Sequence, residues 1–234
     1  MKKSLIIILV FVLGSSFIYI SSYSPEILMG KKEPTLVGSN YNLQPKVAEA
    51  FEKMKIKASV DGISLYSASS YRGYDHQKRI WNNKWDRYSK QGLKGLDIAF
   101  KIIEYSTIPG TSRHHWGTDL DVVDLNVKVT GDKLLASNFE EGGPYEKLGR
   151  WLTNNASSYG FELVYTNKQT RKGFKYEPWH LTYKETSIIM YREYQKINWF
   201  DNLTNDVKGK DFFTQEFIQK YTRENIQDIN PILK

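Results

Sequence analysis

Glu177 and His180 stand three residues apart with Pro178 between them. A Glu-x-x-His spacing also occurs on the helices of di-iron bundles, where both side chains point into one core. Proline in a helix interior costs roughly 3 kcal/mol. It also pushes the residue before it, here Glu177, toward an extended conformation. The segment Glu177-Pro178-Trp179-His180 therefore belongs on a strand edge or a bend, which sets aside every fold that would carry this pair on a helix.

The rest of the chain mixes both periodicities. Helical spacing is expected from Pro45 through VAEAFEKMKIKA, with the proline suited to a first turn. It recurs over 74–88, 95–105 and 144–158, with Gly160 placed as the stop of the last. Alternation predicts strands over 63–69, 119–125, 161–165 and 179–183. The stretch 107–115 (TIPGTSRHH) is loop-like, and a basic, polar loop over 166–175 separates the last two strands. Residues 25–44 mix Pro, Gly, Ser and Asn without sustained periodicity and read as a linker. Residues 45–199 form the expected domain, and 200–234 read as a polar, helical extension. Strands and helices are interspersed without regular βαβ units, so the expected class is α+β rather than a doubly wound sheet.

At the N-terminus Lys2 and Lys3 precede an apolar run over 5–20. That is the layout of a secretory signal or an uncleaved anchor, so residues 1–24 are read as one of these, with membrane anchoring through 4–23 in the second case. With 40% apolar and 25% charged residues, a globular core is expected. No cysteine is present, which excludes disulfides, thiolate zinc sites, iron–sulfur clusters and cysteine nucleophiles. The net charge is +7, and Lys2 and Lys3 are the only charged residues in 1–24, so their removal would leave +5. That surplus is too small to indicate nucleic acid, and no nucleic-acid partner is expected.

Four histidines are available: His76, His114, His115 and His180. Three segments stand out around them. Ser69-Ser70-Tyr71-Arg72-Gly73-Tyr74-Asp75-His76-Gln77 places an arginine where a strand gives way to a helix. Ser112-Arg113-His114-His115-Trp116-Gly117-Thr118-Asp119-Leu120-Asp121 places a histidine and a carboxylate seven residues apart. The third is Tyr176-Glu177-Pro178-Trp179-His180. Catalytic zinc commonly takes three protein ligands from His and Asp/Glu and keeps one open position. His114, Asp121 and His180 could supply such a set, and Glu177 is the natural candidate for a general base acting on water. There is no H-E-x-x-H, which removes the helix-borne zinc proteases, and no G-x-S-x-G, which weakens a serine hydrolase reading.

Each residue also has a plainer role. His180 suits a satisfied core histidine, His114-His115 an exposed loop pair, and Asp119, Asp121 and Asp124 a solvated strand face. Arg72 would serve as a local cap, His76 and Gln77 as helix-surface residues, and Trp116 and Trp179 as core. Asp119 and Asp121 point the same way on a strand, so spacing alone does not choose between them as a ligand.

Taken together, the three segments resemble the VanY-type D-alanyl-D-alanine carboxypeptidases, in the zinc peptidase group that includes VanX-type dipeptidases and the hedgehog fold. That family's patterns, S-x-Y-R-x-x-x-x-Q, S-x-H-x-x-G-x-A-x-D and E-x-W-H, match Ser69 to Gln77, Ser112 to Asp121 and Glu177 to His180 in the family's order. The resemblance spans roughly 45–185. It implies a small antiparallel sheet flanked by helices and a Zn2+ ion held by His114, Asp121 and His180, so it selects Asp121 over Asp119. It further implies Glu177 as catalytic base, Arg72 as a catalytic and substrate-binding group near the scissile bond, and Ser112 and Gln77 as residues that shape the site. His115 is expected to have no role. Asp119 is a departure, standing where the family pattern usually has alanine. It would either support a ligand or recognise a cation on the substrate.

The resulting expectation is an exported, monomeric zinc D,D-carboxypeptidase of the bacterial cell envelope. It would hydrolyse the terminal D-Ala–D-Ala bond of peptidoglycan stem peptides. The alternatives are an endopeptidase of the L-Ala–D-Glu type and a non-catalytic, zinc-containing wall-binding module. Glu177 argues against the module, because a structural site needs no base. Such a site would also tend to be closed by a fourth protein ligand, for which Asp119 is the only local candidate.

Overall fold

The computed structural model describes residues 23–234. The apolar run over 5–20, read as a signal or anchor, lies outside the described residues. Among the described residues no helix is long and apolar enough to cross a membrane.

Eight α-helices punctuate the described chain: α1 Pro25–Leu28, α2 Pro45–Val60, α3 Tyr74–Lys90, α4 Leu96–Ile103, α5 Ala136–Phe139, α6 Glu146–Asn155, α7 Lys184–Tyr194 and α8 Gln215–Tyr221. Four strands, β1 Leu65–Ser69, β2 Asp119–Asp124, β3 Phe161–Leu163 and β4 His180–Tyr183, form one antiparallel sheet in the order β1-β2-β4-β3. This is the α+β class and the small flanked sheet that the sequence predicts. Helix α2 begins at Pro45 and buries Val47, Phe51, Met54 and Ala58, an apolar stripe at helical spacing. That stripe packs with Leu120, Val122 and Leu181 of the sheet in one hydrophobic cluster. Helix α3 buries Tyr74, Gln77, Trp81 and Trp85, and its tryptophans belong to a second cluster with α4 and the C-terminal segments.

Strand β2 is buried along its whole length. Asp119, Asp121 and Asp124 are therefore not the solvated strand face that their spacing allows. Asp124 closes a turn by accepting the backbone N–H groups of Ser64 and Asn126, each at 2.9 Å. In the sheet register Asp121 lies opposite His180 and Asp119 opposite Thr182. A shift between Ser67 and Ser69 leaves Ser69 paired with Asp121 on the other side of β2. Each of the three motif segments is thus tied to one of three neighbouring strands.

Two segments depart from expectation. Residues 25–44 are packed against the domain rather than free. The indole N–H of Trp116 donates to the Leu28 carbonyl at 3.0 Å, the Tyr74 N–H donates to the Gly30 carbonyl at 2.7 Å, and Leu28, Met29 and Leu43 are buried. Few apolar residues with no period carry that burial, which is why it reads as a linker. Residues 200–234 hold α8, three single turns and much irregular chain rather than a run of helix. They bury Leu203, Phe213, Phe217 and Tyr221 in the same cluster as α3. The Tyr221 hydroxyl accepts the Ile108 N–H at 3.1 Å and meets the Thr111 hydroxyl at 2.7 Å, so this segment braces the loop ahead of His114.

Candidate active site

His114 sits on a single 3-10 turn, Arg113–Trp116, that leads into β2. The turn ends at Gly117, whose φ is 66°. A side chain there would adopt left-handed backbone and place its Cβ 2.6 Å from Leu36 Cδ2. The His114 Nδ1 lies 2.7 Å from the Ser70 carbonyl oxygen. A carbonyl only accepts, so Nδ1 carries the proton and Nε2 presents its lone pair. Nε2 lies 3.5 Å from Asp121 Oδ2. His180 opens β4, and its ring centroid is 4.8 Å from that of His114. Its Nδ1 is 2.9 Å from Glu177 Oε2, and its Nε2 is 3.1 Å from Asp119 Oδ1. One potential ligand atom each from His114, Asp121 and His180 lies within 4.8 Å of the others, and all three residues are buried. Asp119 lies outside that group, so the only local candidate for a fourth protein ligand is not positioned as one.

Arg72 follows β1 and turns back over the same place. Its Nη1 donates to Gln77 Oε1 at 2.8 Å, and its Nη2 donates to Ser69 Oγ at 3.1 Å. The Gln77 amide in turn donates to the Thr107 carbonyl at 2.7 Å. Gln77 is 0% exposed. Gln77, expected among the substrate-binding residues that shape the site, does not line the cleft and meets it through Arg72. His115, expected to be idle, is fully buried as well. Its Nδ1–H donates to the Arg72 carbonyl, and its Nε2 accepts the Gly110 N–H at 3.1 Å. His76 is exposed on α3, as a helix-surface residue should be.

A cleft of about 510 Å³ opens over these groups, and Arg72, Ser112, His114, Asp121, Glu177 and His180 all reach it. Trp179, expected in the core, is buried yet also lines the cleft, with its ring 5.7 Å from that of Phe139. Helix α3 adds Lys84 and Arg87 to the cleft lining. Tyr165 also lines it, its ring edge-on to His180 at 5.3 Å.

The electrostatics are set by burial against paired charge. For His180, burial disfavours the charged ring. The hydrogen bonds to Asp119 and Glu177 and the charge of Asp121 outweigh it and hold the pKa up at about 10. For His115, burial dominates, the Arg72 carbonyl opposes only in part, and the pKa falls to about 3. Asp119 and Asp121 are both held below the usual carboxylate range despite burial, Asp119 chiefly by the Arg113 charge and Asp121 chiefly by His114. Arg113, Thr182 and Tyr165 belong to this network and were not singled out in the sequence. Arg113 alone left a signal, a second charge inside the same motif as Asp119.

A family model described as VanY, D-alanyl-D-alanine carboxypeptidase, matches residues 40–186, which hold all three segments. A putative carboxypeptidase of Bacillus subtilis, YodJ, is 31% identical over 142 residues, 60% of this chain and 46% of that protein. A D-alanyl-D-alanine carboxypeptidase of Enterococcus faecium is 30% identical over 174 residues, 69% of this chain and 47% of that protein. The chain thus spans about half the length of these curated relatives. A mutant of the vancomycin-resistance D,D-pentapeptidase VanY from a VanB-type cassette, solved in complex with Zn(II), aligns over 74% of this chain and 90% of its own. The TM-score is 0.52 at 20% identity, a likeness of fold.

Proposed function

The chain belongs to the VanY family of D-alanyl-D-alanine carboxypeptidases, and from that premise we propose that it is a zinc-dependent D,D-carboxypeptidase releasing the terminal D-Ala of peptidoglycan stem peptides. The observation that carries this reading is the convergence of His114, Asp121 and His180 in one cleft with Glu177 and Arg72.

The donor set fits zinc. Two imidazoles and one carboxylate are ligands of the borderline kind that zinc takes, and three protein ligands leave a position open. The His114 tautomer fixed by Ser70 leaves Nε2 free to bind. Held there, zinc would polarise the scissile carbonyl and acidify the attacking water. Glu177 takes the proton from that water and passes it to the amine of the leaving D-Ala. Two of the five N–H donors of Arg72 are used by Gln77 and Ser69. The others serve the substrate's terminal carboxylate or the developing oxyanion. An exopeptidase needs such a counter-charge for a free C-terminus, and this favours it over an endopeptidase. The unused fourth ligand favours an enzyme over a wall-binding module. Stem peptides lie outside the cytoplasmic membrane, and the lysine-led apolar N-terminus supports export to the cell envelope.

The test is digestion of purified muropeptides with and without a chelator, followed by mass analysis. Release of D-Ala from pentapeptides, abolished by the chelator and restored by Zn2+, is the expected result. Products that keep D-Ala–D-Ala would replace this reading with the endopeptidase.

A further inference from the structure

Position 119 carries a carboxylate where the family resemblance leads one to expect alanine. That carboxylate is 0% exposed and does not reach the cleft, so it is no receptor for a cation on the substrate. Its partners are all internal. Oδ1 accepts from Arg113 Nε at 2.9 Å and faces His180 Nε2 at 3.1 Å. Oδ2 accepts from the hydroxyls of Thr118 at 2.6 Å and Thr182 at 2.8 Å. Thr182 Oγ1 also accepts from Arg113 Nη2 at 3.0 Å, and the Arg113 guanidinium lies 4.5 Å from the Trp116 ring centroid. A buried charge is costly unless it is paired and hydrogen-bonded, and this one is both.

We propose that Asp119 is a positioning residue that orients His180, accepting its Nε2–H so that Nδ1 is the atom offered to the metal beside Glu177. The inference rests on the metal reading given above. An ionised carboxylate only accepts, so the nitrogen that faces it carries the proton. The other ring nitrogen, Nδ1, stands on the cleft side beside Glu177 Oε2 at 2.9 Å, so it is the one whose proton the metal would displace. Asp119 itself is spent on four donors and lies outside the ligand group. Arg113 and the two threonines hold it still. Alanine at this position would leave the His180 ring without that restraint, and carboxylate partners of metal-bound histidines typically contribute about 10–100-fold in metal affinity.

The test compares zinc affinity, by competition with a chromogenic chelator, in the wild-type chain, in Asp119→Asn and in the double variant Asp119→Ala with Arg113→Met. The double variant removes both buried charges together, which protects the fold if the single change does not. Both variants are expected to bind Zn2+ about 10–100-fold more weakly. A third variant, Thr182→Val, removes one bond to Asp119 but none to His180 and is expected to stay within about 2-fold of wild type, well inside that range. Long-range nitrogen–proton correlation spectra of the zinc-loaded protein should show His180 protonated at Nε2, and this signature should be lost or mixed in the double variant. Unchanged affinity and an unchanged His180 signature in both Asp119 variants would reduce Asp119 to a counter-ion for Arg113 and overturn the proposal. A folded wild-type chain that binds no Zn2+ would instead overturn the metal reading beneath it, and this proposal with it.

Discussion

Gln77 accepts a hydrogen bond from Arg72 Nη1 at 2.8 Å while its own amide is anchored on the Thr107 carbonyl at 2.7 Å, so a fully buried side chain aims the guanidinium that lines the cleft. Replacing Gln77 with Leu removes that aim without touching the substrate. Hydrogen bonds to charged groups contribute about 1.5–3 kcal/mol. We expect kcat/KM for a D-Ala–D-Ala peptide to fall roughly 10–100-fold with zinc binding unchanged. Full activity in Gln77→Leu would mean that Arg72 holds its pose without it.

Glu177→Gln keeps the shape beside His180 and removes the base. Positioned general bases contribute roughly 10²–10⁴-fold. D-Ala release should fall by about that factor, while a chelator competition still finds one zinc per chain. Turnover near the wild-type rate would show that another group moves the proton.

Two of the three buried histidines, His180 and His115, push metal-free stability in opposite directions. His180 is raised to about 10, so its contribution is complete below its unfolded value of roughly 6.5 and is lost as pH rises toward 10. His115 is lowered to about 3, so its contribution is present above roughly 6.5 and is lost as pH falls toward 3. From this pair, thermal stability in the presence of a chelator should peak near pH 6.5. Calorimetric scans from pH 4 to 10 check it. The proton on His180 also competes with the metal, so the rise in Tm produced by Zn2+ should grow with pH above roughly 6.5. A Zn2+ effect that shrinks over that range would contradict the assignment of His180 as a ligand.

Lys84 and Arg87 give the cleft a basic wall on α3. Burial, with the positive charges of Arg87 and Arg72, lowers the Lys84 pKa. A half-exposed ammonium of this kind contributes up to about 1 kcal/mol to an ion pair. Lys84→Met should raise KM up to about 5-fold for a peptide with a free side carboxylate, and leave KM unchanged for its amidated counterpart. Equal effects on both peptides would show that Lys84 does not read that charge.

Much of the local structure was legible because its causes are local. Pro178 keeps 177–179 out of a helix, and His180 does open a strand. Pro45 starts α2, and the period-two pattern after Gly117 marks β2. The motif residues His114, Asp121, Glu177 and His180 were readable through the family resemblance, whose three patterns they match in type and spacing. The buried segments at either end of the described chain were not. Leu28, Met29, Phe213 and Tyr221 reach the core from irregular backbone, and no periodicity announces that.

The choice between Asp119 and Asp121 marks the boundary most sharply. Both residues lie on the same face of β2, a consequence of the two-residue repeat that the sequence alone determines. Which one meets the metal group depends on the pairing of β2 with β4, a contact between residues some sixty positions apart in the chain. That register sets Asp121 opposite His180 and leaves Asp119 one pleat deeper, opposite Thr182, where Arg113 neutralises it. Side-chain chemistry and local spacing named the candidates. The family resemblance favoured Asp121, but the physical reason lies in the tertiary packing, which decides how far each carboxylate stands from each histidine nitrogen.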